Sequence, residues 1–168
     1  ETIYVVSSTG SISMSDGAVS ATTNGNIRYS AAGDITLGSL NAGSAEVAVA
    51  SSGGDILDGG DTHIEVVGSK ARLEADTVGS SSSTLELTVS TLAAHGPDGI
   101  FIVMDSVALL TVDAVGTVAV SAVGTDAVLS SVASAAALSD LTSASGPVVL
   151  TSAGSLTIND GSDADGVG

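Results

Sequence analysis

The residues of this chain best suited to chemistry are its acids. Asp160, Asp163 and Asp165 fall within six residues, interleaved with Gly161 and Gly166, and Asp58 and Asp61 flank the pair Gly59-Gly60. A hard cation such as calcium takes several oxygen ligands from a sharply turning loop, and both stretches offer them. Asp160, Asp163 and Asp165 are accordingly the calcium candidates. Neither stretch completes an EF-hand, because the first-position Asp or Asn and the closing Glu are missing, and no Asp-rich nonapeptide recurs. Acidic turns facing solvent are the plainer account of both.

Other chemistry finds less footing. Glu46, Glu65, Glu74 and Glu86 sit where strand alternation points them outward. Carbohydrate cleavage needs paired carboxylates and aromatic surfaces for the sugar, whereas the neighbours of these acids are mostly Ala, Thr and Ser. They read as a solvated strand face. His63 and His95 are 32 residues apart, each beside a turn, and read as surface residues. No nucleophile elbow, phosphate-binding loop or dinucleotide fingerprint is present. The sequence calls for no catalytic residues and no cofactor beyond the calcium candidates.

Composition narrows the partners. Three basic residues (Arg28, Lys70 and Arg72) face 19 acidic ones, for a net charge of -16. Nucleic acid is excluded as a partner, since phosphate contacts need clustered Lys or Arg. With no cysteine there is no disulfide framework and no zinc-thiolate site. No uninterrupted apolar run reaches the roughly 18 residues of a membrane span. The chain is 43% hydrophobic but only 2% aromatic. Its core must therefore be built from Val, Ala, Leu and Ile, which suits thin, layered interiors better than a globular centre needing large fillers.

The elements that would position these residues come from a repeated phrase. Asn26–Gly38, NIRYSAAGDITLG, pairs an alternating run with a small-residue corner and a second alternating run. It recurs as TIYVVSSTGSISM from Thr2, EVAVASSGGDILD from Glu46 and VVLTSAGSLTIND from Val148. Period-two alternation returning at a longer period indicates a strand–corner–strand unit stacked on itself. Coil starts at Ile3, Ile27, Val47, Leu73, Ile100, Val118 and Val148 give six to seven coils of an all-β parallel β-helix. At roughly 4.8 Å per layer that makes a rod about 30 Å long. A β-sandwich also has short alternating strands, but does not require the same phrase to recur.

Within this scheme Tyr29 takes the slot held by Val5, Val49 and Leu150 and reads as a core aromatic. Ser80–Ser83 reads as a flexible insertion, and Thr84–Leu92 as one alternating run. Ile100–Met104, Ala108–Val112 and Thr117–Val120 read as three further strands. Asp126–Leu141 is ambiguous: Val128, Val132, Ala135 and Leu138 fall at helical spacing, and irregular strand with one helical turn is the favoured reading.

The phrases GNIRYSAAGDITLGSL, GGDILDGG, GIFIVMDS and VVLTSAGSLTINDGSDADGV resemble repeats of giant secreted bacterial proteins, the filamentous-haemagglutinin-like exoproteins and large surface adhesins. The resemblance implies a right-handed parallel β-helix, export to the bacterial cell surface or medium, and a role as stalk, fibre or adhesin. It brings no catalytic residues. Neither end reads as a cap, so residues 1–168 are expected to be a single open-ended β-helical segment, one unit of a longer stack. The expected partners are other copies or adjacent repeats end to end, and a host or surface glycan.

Overall fold

Short runs of Val, Ile, Leu and Ala alternating with Ser and Thr give each strand one apolar side. A strand of this length cannot bury that side alone, but copies stacked in register can. In the computed structural model, residues 1–60, 63–123, 126–132 and 137–161 are described. They form a parallel β-solenoid of about five turns, with no helix among the described residues.

Four turns contain three strands each. The first holds β1 (Ile3–Ser7), β2 (Ile12–Ser13) and β3 (Val19–Ala21), and the second β4 (Ile27–Ala31), β5 (Ile35–Leu37) and β6 (Ser39–Asn41). The third holds β7 (Glu46–Ser51), β8 (Ile56–Asp58) and β9 (Val66–Val67), and the fourth β10 (Lys70–Glu74), β11 (Thr77–Val78) and β12 (Leu85–Thr88). The fifth turn needs only two, β13 (Thr91–His95) and β14 (Gly99–Met104). Gly99 and Ile100 of β14 pair with β11, while Ile102–Met104 pair with β12, so one long strand serves two sides.

The sixth layer begins with β15 (Leu109–Val112), then breaks off into a hairpin of β16 (Val120–Val123) and β17 (Leu129–Val132). It resumes as β18 (Leu141–Thr142) and closes with β19 (Val148–Ser152), and β20 (Ser155–Ile158) opens one more layer. The break falls in mid-strand: Val112 stacks on Leu92 and Leu141 on Ala94. Little of the ladder is lost, because the Asp113 amide donates to Leu92 and the Ala94 amide donates to Asp140. The hairpin runs back along the solenoid. Asn26 Nδ2 donates to the Ala119 carbonyl, and the Ser121 amide donates to Thr2 Oγ1 on the first turn. Val115, Val118 and Val120 are buried, and so are Ala48, Arg72 and Ala93 on the outside of the first side.

The core is a set of columns. Ile3, Ile27, Val47, Ala71, Leu92, Val112 and Ile158 stack in one. Ile12, Ile35, Ile56, Val78, Ile100 and Val148 stack in a second. Val5, Tyr29, Val49, Leu73 and Ala94 form a third, continued by Leu141. Tyr29 is buried as expected, and its hydroxyl is satisfied by Ser20 Oγ at 2.6 Å. At Gly43 (φ 60°) a Cβ would fall 2.1 Å from the Thr23 carbonyl of the turn below, so the corner closes only on glycine.

Several sequence expectations shift. About five turns are formed against the six to seven expected, the next layer being interrupted between Val112 and Leu141, and the expected starts Ile100 and Val148 lie on the second side. Leu150 pairs with Ile102 on that second side and is not in the Tyr29 column. The strand expected over Thr117–Val120 begins only at Val120, and Thr84–Leu92 divides at Ser90 into β12 and β13. In Asp126–Leu141 the residues beside the hairpin are strand. Leu129–Val132 pairs antiparallel with β16 and Leu138 bridges Val115, while Ala135 lies outside the described residues.

Ile35 is fully buried between Ile12 and Ile56. Ile35→Ala should cost about 2–5 kcal/mol, and Ile35→Asp more, since the carboxylate would have no counterion there. Asp34 is exposed, and its Oδ1 accepts the Asp55 amide at 3.0 Å. Asn keeps that acceptor, so Asp34→Asn should cost less than about 1 kcal/mol. Urea unfolding of the three variants checks the order; an Asp34→Asn loss exceeding that of Ile35→Ala would contradict the layer assignment.

Candidate functional site

Two insertions at the same corner of successive turns build the site. In the second turn Leu37 and Leu40 are separated only by Gly38 and Ser39, but their partners in the third turn are Asp58 and Val66. The third turn therefore carries an insertion between Asp58 and Val66, whose ends stay in the ladder: the Gly59 amide donates to Leu37 and the Leu40 amide donates to Glu65. In the fourth turn Val78 and Leu85 pair with Ile100 and Ile102, so residues 79–84 bulge opposite Phe101 alone. The lower loop begins at Asp58 and ends at Glu65. The upper loop is followed by Leu85 and then Glu86, whose carbonyl accepts the Glu65 amide at 3.0 Å.

This stacking gathers three acids. Carboxylate oxygens of Asp58, Glu65 and Glu86 all lie within 4.8 Å of one another. Strand alternation turns Glu65 away from the central core, since Val66 beside it points inward, yet Glu65 is 0% exposed. Its Oε2 accepts the Glu86 amide at 2.7 Å, while its Oε1 has no hydrogen-bond partner among the described residues. The upper loop holds the other two acids in place. Ser83 Oγ donates to Asp58 Oδ2 at 2.7 Å, and Thr84 Oγ1 donates to Glu86 Oε1 at 3.0 Å. The Gly60 amide donates to Asp58 Oδ1 at 2.7 Å. Ser80 and Ser83 also bond each other across the loop, so the stretch expected to be a flexible insertion is a fastened cover.

The electrostatics of this corner are one-signed. All three Lys and Arg side chains of the chain stand on the first side of the solenoid. Lys70 pairs with Glu46 at 3.2 Å, Arg72 pairs with Glu74 at 2.7 Å, and Arg28 lies over the Tyr4 ring at 5.3 Å. His63, on the lower loop, is exposed and meets Asp16 at 3.2 Å. Burial, followed by a side-chain hydrogen bond with Glu86 and then the Glu86 and Asp58 charges, pushes the Glu65 carboxyl up to about 9, against the opposing bond from the Glu86 amide.

The acids singled out in the sequence are placed differently. Asp160 is exposed at the far end of the solenoid, beside Asn159, and Asp163 and Asp165 lie outside the described residues. Asp61 also lies outside them. Asn159 Nδ2 donates to Asp113 Oδ2 at 2.7 Å, and this bond holds the Asp113 carboxyl below its usual range. Glu46 and Glu74 belong to the ion pairs of the first side, whereas Glu65 and Glu86, read as solvated, belong to the acid cluster. His95 Nδ1 meets Thr142 Oγ1 at 2.8 Å on another turn, and the two histidines have different partners. The sequence signal for the cluster was an acid inside an apolar run, Ile64-Glu65-Val66, between two turn-rich insertions. Comparison with protein-family models, with curated proteins and with solved structures found no match to this chain.

The raised Glu65 carboxyl sets a pH dependence. Between an unfolded value near 4.5 and a folded value of about 9, the folded chain holds a proton that the unfolded chain has released. Stability from this group is therefore full below about pH 4.5 and is lost as pH rises towards 9. In chelator, urea unfolding from pH 5 to pH 8 should show a steeper decline for the wild type than for Glu65→Gln. Glutamine has the shape of the protonated acid and can still accept the Glu86 amide. Parallel profiles would mean that Glu65 is ionised across that range.

Proposed function

We propose that this chain is a structural and adhesive module, a rigid acidic rod carried on the bacterial cell surface or in the surrounding medium and extended end to end. The reading follows the resemblance of its repeats to filamentous-haemagglutinin-like exoproteins. The observation that supports it most directly is the state of the two outermost layers. In the first turn Ile3, Val5, Ile12 and Met14 face the core but are only half-buried. At the other end Val148, Leu156 and Ile158 lie 43%, 44% and 53% exposed.

These residues occupy the same columns as the buried ones between them, so each end offers an apolar surface and a strand edge in a register that a further coil would match. A heterologous contact of this kind does not close on itself and propagates along the axis. The further coil can come from more of the same polypeptide or from another copy. The high negative charge keeps rods apart laterally, which favours extension over bundling.

The purified chain should associate end to end as its concentration rises. Added salt should promote this association by screening the acids. Electron microscopy should show filaments one rod wide, and the double variant Leu156→Lys with Ile158→Lys should remain short. A monomer that persists at high concentration and high salt would overturn end-to-end association as the basis of the fibre.

A further inference from the structure

We propose that Asp58, Glu65 and Glu86 form a calcium site that fastens the third turn of the solenoid to the fourth. The argument begins with Glu65. It is fully excluded from solvent, and its Oε1 has no hydrogen-bond partner among the described residues although the carboxylates of Asp58 and Glu86 lie within 4.8 Å. A carboxyl oxygen turned towards two further carboxylates is a costly arrangement unless a proton or a cation sits among them. No Lys or Arg of this chain does so, since all three stand on the first side.

The geometry suits a metal ion. Two oxygens bound to one calcium at 2.3–2.6 Å stand no more than about 5 Å apart, and the three carboxylates meet that limit. All donors are hard oxygens, with no sulfur or imidazole among the three acids, which points away from zinc and copper. Calcium fits better than magnesium because Glu65 is closed to solvent, and magnesium sheds its water shell reluctantly.

The second-turn counterpart of this corner is the tight Leu37–Leu40 link, so the ligands exist only where two loops stack. Ser83 and Thr84 orient Asp58 and Glu86 by donating to Asp58 Oδ2 and Glu86 Oε1. Asp58 at the end of β8, Glu65 before β9 and Glu86 in β12 thus supply the ligands, and the ion would join the two turns across the layer boundary.

The test uses the whole chain, stripped with chelator and titrated with calcium alone. Calorimetry should show a bound calcium that Glu65→Gln weakens at least tenfold, and calcium should raise the wild-type Tm but not that of the variant. Magnesium should bind more weakly. Glu65→Gln matches the protonated acid in shape; if it fails to fold, Asp58→Asn is read in the same way. The proposal is overturned if the wild type neither binds calcium nor gains Tm. It is equally overturned if the variant binds calcium as tightly as the wild type, since the ion would then sit elsewhere, and an equal response to magnesium overturns the choice of calcium.

Discussion

Everything in this molecule depends on like residues stacking on like residues, one layer above the next. The parallel ladder joins each strand to the equivalent strand one turn away, so every inward position becomes a column of Val, Ile, Leu or Ala. A residue in the column has the same neighbours wherever it stands, and the interior needs no large side chain to fill a central gap. That is how a core with almost no aromatic content is completely buried in its middle turns. The same rule makes stability a nearest-neighbour property, strongest in the interior turns and weakest in the first and last.

A stack of this kind accepts extra residues wherever the ladder can close around them. The insertions that follow Asp58 and Val78 leave at one corner, and the hairpin leaves between Val112 and Leu141 while Asp113 and Asp140 carry the ladder across the gap. Loop closure grows costly only slowly with length, so such excursions cost little beside the columns they spare. What they add is chemistry. The repeating layer offers only uniform small residues, whereas the stacked loops bring three acids from different parts of the chain to one place. The hairpin reaches back to Asn26 and Thr2 on the first turns.

The layered fold was legible because alternation is local: Ile27, Tyr29, Ile35 and Leu37 declare an inward side within a dozen residues. The turn count was not, because it depends on which side of the solenoid a strand occupies. Ile100 resembles a coil start, yet it sits above Val78 on the second side, where β14 does the work of two shorter strands. The hairpin was equally hidden, since Ala119 and Ser121 meet Asn26 and Thr2, which lie far away in the sequence. The acid cluster escaped for a related reason. Alternation alone makes Glu65 an outward residue, and only the register of two consecutive insertions reveals that its outside is covered.

The central claim is that the stacked columns of the interior turns hold the fold together, with the hairpin and the outermost layers as additions to it. Native-state hydrogen exchange tests this most directly. Amides of β4, β7, β10 and β13 should exchange slowest and together, with β1, β19, β20 and the β16–β17 hairpin opening at much lower free energy. Slowest exchange in the hairpin or in the outermost strands would contradict the account.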